Sequence, residues 1–250
     1  MSEVKVVSVT APRVEGIETP DQFLAYVARV SNPSNQANND TAPKLIKYLM
    51  KNAHWSPFEC LHLTIEIKTT RDIARQILRH RSFSFQEFSQ RYAEVTEFSE
   101  PREARLQDTK NRQNSIDTDD GDLKSSWWLW QDEVKEKATD AYNWAIENGI
   151  AKEVARAVLP EGLTMSTLYM SGSLRSWIHY CDLRCGNGTQ KEHRLIAEGI
   201  RDLIDVEFPS IRGAREAIEE ERKAQELARL QSMVIDLAER DEYGGYVLRF

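Results

Sequence analysis

Several features are scarce in this chain of 250 residues. It has no run of eighteen or more apolar residues, so no membrane span is expected. Cysteine is limited to Cys60, Cys181 and Cys185. A small, odd count in a long chain suits a reducing compartment and argues against structural disulfides. The start, Met1-Ser2-Glu3-Val4-Lys5, lacks the basic-then-apolar profile of a secretory signal. The expectation is therefore a cytoplasmic protein. Positive charge is also short: 33 Lys and Arg stand against 40 Asp and Glu, a formal −7. That argues against general nucleic-acid binding, which needs a broad basic face. What remains is an ordinary globular composition, 40% hydrophobic and 29% charged, with ample length for a core.

Against this acidic background one stretch is basic. From Arg71 to Tyr92, five arginines face only Asp72 and Glu87. Within it, Arg79 to Tyr92 sets three arginines, a histidine, a carboxylate and three serines among Phe83, Phe85, Phe88 and Tyr92. Core segments exclude so many polar groups because each carries a desolvation cost. Solvated loops have no use for four aromatics. Arginine forks grip phosphate and aromatic rings cover flat heterocycles, so the stretch predicts a ligand with anionic and flat parts.

The surrounding chain reads as one α+β domain over 1–250. Val4 to Thr10 predicts a strand. Helices follow from Pro20, carrying Phe23, Leu24, Val27 and Val30, and from about Pro43, with Leu45, Ile46, Leu49 and Met50 on one face. Leu61, Leu63, Ile65 and Ile67 alternate with polar residues, the period of a half-buried strand. Thr70 is placed to cap a helix from Arg71 to Arg79, with Arg71, Arg75 and Arg79 sharing a face. A strand is predicted from Phe85 to Val95 and a long polar loop over 99–126. A helix then runs from Trp127 to Asn148, with Trp128, Val134, Ala138, Ala141, Tyr142 and Ala145 as its buried side and Gly149 closing it. A short helix spans Ala151 to Leu159 and a strand Leu163 to Met170. Helices follow from Ser173, over Thr189 to Glu207, and over Ser210 to Arg240. In the last, Leu227, Leu230, Val234 and Leu237 recur at three and four, suited to packing on the body or on another chain.

The basic stretch fits R-H-R-x-x-S-x-x-x-x-S-x-R, with Arg79, His80, Arg81, Ser84, Ser89 and Arg91 in the fixed places. In this it resembles the flavin-dependent thymidylate synthases. Three further segments share the likeness: His54-Trp55-Ser56-Pro57-Phe58-Glu59, Glu153 to Pro160, and Ser173 to Arg184. The resemblance implies a central, mostly antiparallel sheet flanked by helices, with a long charged C-terminal helix here. It implies FAD as cofactor, with NADPH and methylenetetrahydrofolate as co-substrates, and conversion of dUMP to dTMP. It implies a homotetramer with sites shared between chains. FAD would meet His54, Ser56, Arg79, His80, Arg81, Glu87, Ser173, Arg175 and His179. The dUMP substrate would meet Gln76, Arg79, Glu87, Phe88, Ser89, Gln90, Arg91, Arg156 and Arg184, with Arg184 at the uracil ring as the catalytic residue. Two departures stand out. Ser173 replaces a common Asn, and Gly188 stands where many relatives carry a histidine. No nucleic-acid or membrane partner is expected.

Two competing readings stay open at this level. His179, Cys181, Cys185 and His193 are potential metal ligands, although His179 and Cys181 point apart on a helix. Alternatively, a nucleotide- or RNA-binding oligomer retains the arginine loop without the chemistry.

Overall fold

A computed structural model describes residues 2–238, with side chains as far as Met233. These residues form two compact units. One holds the residues up to Ala11 together with Phe58–Val206; the other holds Pro12–Pro57 and the segment from Glu207.

The first unit is built on a sheet of β1 (Glu3–Val9), β2 (His62–Thr70), β3 (Ser84–Glu87) and β6 (Met165–Ser173), with a separate hairpin of β4 (Arg105–Gln107) and β5 (Ser115–Asp117). The sheet order is β1-β2-β6-β3 and every pairing is antiparallel. The period-two alternation sets this register. Leu63, Ile65 and Ile67 are buried, and β6 places Met170 opposite Ile65 and Leu168 opposite Ile67. A one-residue slip would turn all of them to the other face. Each such side chain contributes about 1.5–3 kcal/mol through burial. Helices α3 (Arg71–Ile77) and α6 (Leu174–Arg184) begin directly at the ends of β2 and β6. Because β2 and β6 are antiparallel the two helices start at opposite ends of the sheet, and it is β3, with Ser84 opposite Ser171 of β6, that sets the signature segment beside the start of α6.

Gly172 on β6 shows how tightly the signature is seated. A Cβ there would lie 2.5 Å from the ring of Phe83. Phe83 in turn packs edge-on against Trp177, with centroids 4.7 Å apart, and near Phe85 and Tyr180. Phe83 and Phe85, both half-buried, thus form part of an aromatic cluster. Gly172→Ala is expected to cost ~1–3 kcal/mol, the usual penalty for overpacking, and Phe83→Leu on top of it should recover part of the loss. Chemical denaturation measures both. An unchanged midpoint in Gly172→Ala would show that the ring moves freely.

Several boundaries differ from the sequence expectation. The strand from Phe85 ends at Glu87, not Val95, because the amides of Tyr92 and Ala93 turn back to the Ser89 carbonyl, at 3.0 and 3.1 Å. The 99–126 segment is not a plain loop. It contains the β4–β5 hairpin, whose turn is held by Asp108 accepting from the amides of Lys110 and Asn111. It also contains the first turns of α4 (Gly121–Glu147), which starts where Asp120 caps the Leu123 amide at 2.9 Å. On α4 the buried side is Gln131, Ala138, Tyr142 and Ala145, while Trp128, Val134 and Ala141 are exposed. Apolar spacing marks a face but not how far along the helix a partner extends. Thr70 stands at the N-cap of α3, yet its hydroxyl donates to Asp72 rather than receiving a backbone amide. The unit is completed by α5 (Lys152–Ala155) and α7 (Lys191–Glu207).

The second unit contains α1 (Pro20–Ala28), α2 (Ala42–Lys51) and α8 (Pro209–Ala238). Thr19 and Gln22 close a reciprocal cap at the start of α1. Leu24 on α1 and Ile46 and Leu49 on α2 are buried, whereas Val30 is exposed. Lys47 and Lys51 both reach Glu221 of α8, at 2.7 and 2.6 Å. Leu227 and Leu230 are exposed, and the side chains of Val234 and Leu237 lie outside the described residues. Among the described residues no helix is long and apolar enough to cross a membrane.

Candidate active site

The structure sorts the arginines of the basic stretch by what they touch. Arg71 pairs with Glu87 at 3.5 Å, and Glu87 also accepts from the Ser166 hydroxyl at 2.9 Å. Arg75 donates to Glu161 at 2.6 Å. Arg79 and Arg81 are exposed, with no carboxylate at ion-pairing distance among the described residues. Because α3 ends at Ile77, Arg79 lies beyond the helix rather than on the face predicted for it with Arg71 and Arg75, and of the three it is the one with no carboxylate partner among the described residues.

Beside them, His80 meets Arg184. The Arg184 Nε donates to His80 Nε2 at 2.9 Å, and its two Nη groups make no hydrogen bond to any described residue. Burial, then the charges of Arg184 and His179, push the His80 pKa down to about 4. The ring is neutral at pH 7 and can accept at Nε2. His179 is exposed on α6. Tyr180 packs its ring edge-on to His80 at 4.9 Å, and its hydroxyl lies 2.9 Å from His193 Nε2. His193 is fully buried, and desolvation, then Arg184 and His80, push it down to about 3. Its Nδ1 lies 3.4 Å from the Gln76 carbonyl oxygen, while the Gln76 amide nitrogen donates to Gln190 at 2.7 Å. Sequence reasoning reached His193 only as a potential metal ligand and missed Gln190. A histidine on the apolar face of a helix carries no signal of what it will meet.

Ser173 caps α6, accepting the Ser176 amide at 3.3 Å, and donates to Glu59 at 2.9 Å. Arg175 donates to the other Glu59 oxygen at 2.6 Å. Hydrogen bonds from Arg175 and then Ser173 hold the Glu59 carboxyl below its usual range. Glu59 is a site residue that sequence reasoning did not single out, although it closes the His54–Glu59 segment. In the second unit, His54 and Ser56 are exposed, and the His54 ring stands edge-on to Tyr48 at 5.7 Å.

The turn after β3 gathers the remaining candidates. Phe88 is exposed, and its amide donates to Thr167. The Ser89 hydroxyl accepts the Arg91 amide at 3.4 Å. Gln90 is only 4% exposed, and its amide nitrogen has no hydrogen-bond partner. Arg91 pairs with Glu153 at 3.4 Å, and the Arg156 Nε donates to the Glu153 carbonyl oxygen at 3.3 Å. Arg91 and Arg156 are thus brought to one residue from distant parts of the chain. The Val95 amide donates to the Tyr142 hydroxyl, tying this turn to α4.

Two unpaired guanidinium groups and an orphaned buried donor are what an anionic, hydrogen-bonding ligand requires. The residues present fit a phosphate-bearing cofactor such as FAD at Arg79 and Arg81. Two of the four potential metal ligands are otherwise engaged: His193 by Tyr180 and Gln76, and the Cys181 thiol by the Ala197 carbonyl. Among the described residues no group of three or more His, Cys, Asp or Glu is placed to hold a metal.

The chain is also similar to known proteins. The family model "Thymidylate synthase complementing protein" matches residues 14–210. A probable flavin-dependent thymidylate synthase of Paramecium bursaria Chlorella virus 1 is 53% identical over 207 residues, 83% of this chain and 95% of the relative. A flavin-dependent thymidylate synthase of Synechocystis is 48% identical over 217 residues, 86% and 99% of the two chains. Among solved structures, a UMP/dUMP methylase of Streptomyces cacaoi bound with 5-Br UMP superposes with a TM-score of 0.74 at 27% identity, covering 87% of this chain and 95% of that one. The signature run, the converging arginines and these matches over most of the chain place it in the family of the flavin-dependent thymidylate synthases.

Proposed function

We propose that this protein converts dUMP to dTMP by reductive methylation, with methylenetetrahydrofolate as carbon donor, FAD as cofactor and NADPH as reductant. FAD, when bound, supplies the hydride that completes the methyl group. The chain's own residues bind and polarise. Arg79 and Arg81, free of carboxylate partners, take the cofactor's phosphates. Arg91 and Arg156, gathered at Glu153, take the phosphate of dUMP, with Ser89 and the orphaned Gln90 amide beside them.

The observation that carries the reading is the His80–Arg184 contact. A neutral imidazole occupies Nε and leaves both Nη groups without a partner among the described residues. Set at a uracil carbonyl and ring nitrogen, these two groups favour negative charge on the ring and make its fifth carbon nucleophilic. No cysteine nucleophile is needed. Cys60, Cys181 and Cys185 form no disulfide with one another, in keeping with a cytoplasmic protein. His54, Ser56, Arg175 and His179 are assigned to FAD, and Glu59 holds Arg175 in place. We further propose a homotetramer with sites shared between chains, which would give the exposed Leu227 and Leu230 of α8 a partner.

Protein purified gently should carry flavin colour or titrate with FAD. Arg81→Ala should weaken FAD binding ~10- to 100-fold, the range for a hydrogen bond to a charged group. A colourless protein with no affinity for FAD at any salt concentration would end the flavoenzyme reading.

A further inference from the structure

A chain of side-chain hydrogen bonds runs from the β4–β5 hairpin to the candidate site, and one charge fixes its direction. Arg105 of β4 pairs with Glu192 at the start of α7. The Glu192 carboxylate, held below its usual range, only accepts, so the Gln190 amide nitrogen donates to it, at 2.8 Å. The Gln190 oxygen must then accept from the Gln76 nitrogen, at 2.7 Å. That turns the Gln76 oxygen towards His193 Nδ1, at 3.4 Å, which must carry the ring proton. His193 Nε2 is left to accept from the Tyr180 hydroxyl, at 2.9 Å. Reversing any one link would oppose two donors or two acceptors. Tyr180 packs on His80, the partner of Arg184. Lys191 ties the same helix start to Glu103 at 2.7 Å and to Asp117 of β5 at 3.6 Å.

We propose that Glu192, anchored by Arg105, is a positioning residue that fixes the amide orientation of Gln76 and the tautomer of His193. The polar segment between β3 and α4 thereby acts on substrate binding without touching substrate. The effect on dUMP binding through Gln76 rests on the function proposed above; the tautomer does not.

The test has two independent arms. Nitrogen NMR of the isotope-labelled full chain reads the tautomer of His193 directly: Nδ1–H is expected in the native protein and in Glu192→Asp, and a mixture in Glu192→Gln, whose amide can donate as well as accept. Steady-state kinetics with dUMP should show KM raised ~10-fold in Glu192→Gln, about the worth of one hydrogen bond, with substantial recovery in Glu192→Asp and FAD affinity unchanged. A merely structural role would weaken FAD binding and raise KM together and would leave the tautomer alone. Nε2–H on His193 in the native protein overturns the proposal, whether or not any variant folds. So does a Glu192→Gln protein with native tautomer and native KM. Absence of any dUMP turnover in the native protein would instead count against the function proposed above, with the tautomer arm still readable.

Discussion

Replacing Arg184 by lysine is expected to lower methyl-forming turnover ~100-fold or more, the loss usual when one preorganised donor is removed from a developing charge. Lysine retains the positive charge, but its single nitrogen cannot both serve His80 and present a planar fork to the ring. The fold should survive, since Arg184 is the last residue of α6, partly exposed, and its side chain meets the neutral His80 rather than a buried carboxylate. FAD binding and flavin reduction by NADPH should also remain, because the cofactor's phosphates are assigned to Arg79 and Arg81. Arg91→Lys provides the contrast. Arg91 is proposed to anchor substrate, so its variant should raise the KM for dUMP with little change in kcat, the pattern of lost uniform binding. Steady-state kinetics in dUMP, beside rapid-mixing measurement of flavin reduction, separates the two. Near-normal turnover of Arg184→Lys at saturating dUMP, or failure of flavin reduction itself, would overturn the role given to this residue.

The second large effect is on stability in mild acid. His80 and His193 are both depressed in the folded protein, to about 4 and about 3, chiefly by burial. Above the ordinary histidine value of about 6.5 they are neutral in both states and contribute no pH dependence. Below it the unfolded chain takes up protons that the folded chain refuses, so stability present above that pH is lost as pH falls. The slope reaches up to ~1.4 kcal/mol per pH unit for each ring, or ~2.7 for the two together. The window from pH 6.5 to 5 reads this effect most cleanly, before the carboxylates begin to titrate. Denaturant unfolding across that window should show the decline, and the native ring resonances of both histidines should stay in their neutral positions down to pH 5. A stability that is flat from pH 6.5 to 5, or a ring that titrates near 6.5 in the native protein, would contradict the arrangement.

Much of the first unit is legible in the sequence because its signals are local. The alternation from Leu61 to Ile67 sets a strand face, Gly149 adopts the positive φ of 77° that ends α4, and Ser173 caps α6. The signature run announces an anionic ligand because charge and aromatic rings are rarely mixed so densely without one. Sequence and structure part where the deciding interaction comes from elsewhere in the chain. The polar 99–126 segment contains a hairpin and the start of α4, yet its apolar content is too small to mark them. Trp128 and Val134 follow the spacing of a buried face but are exposed, because on those turns of α4 it is Gln131 that is buried, against the backbone of Arg102.

Residue order alone is enough to say which groups this protein brings to its chemistry: guanidinium groups, serines and amides suited to phosphate and to a flat ring, and no placed nucleophile. What each of those groups touches is decided by the folded chain. Arg71 and Arg75 are neutralised by Glu87 and Glu161, while Arg79 and Arg81 have no carboxylate partner among the described residues. Arg184 is oriented by His80 from 104 residues away. His193 is a buried link between Tyr180 and Gln76 rather than a ligand to metal. The physical reason is the range of the forces involved. Periodicity and capping act within a few residues and leave a trace in the order of the chain, whereas ion pairing, desolvation and hydrogen-bond direction depend on which groups the fold brings within about 3–4 Å.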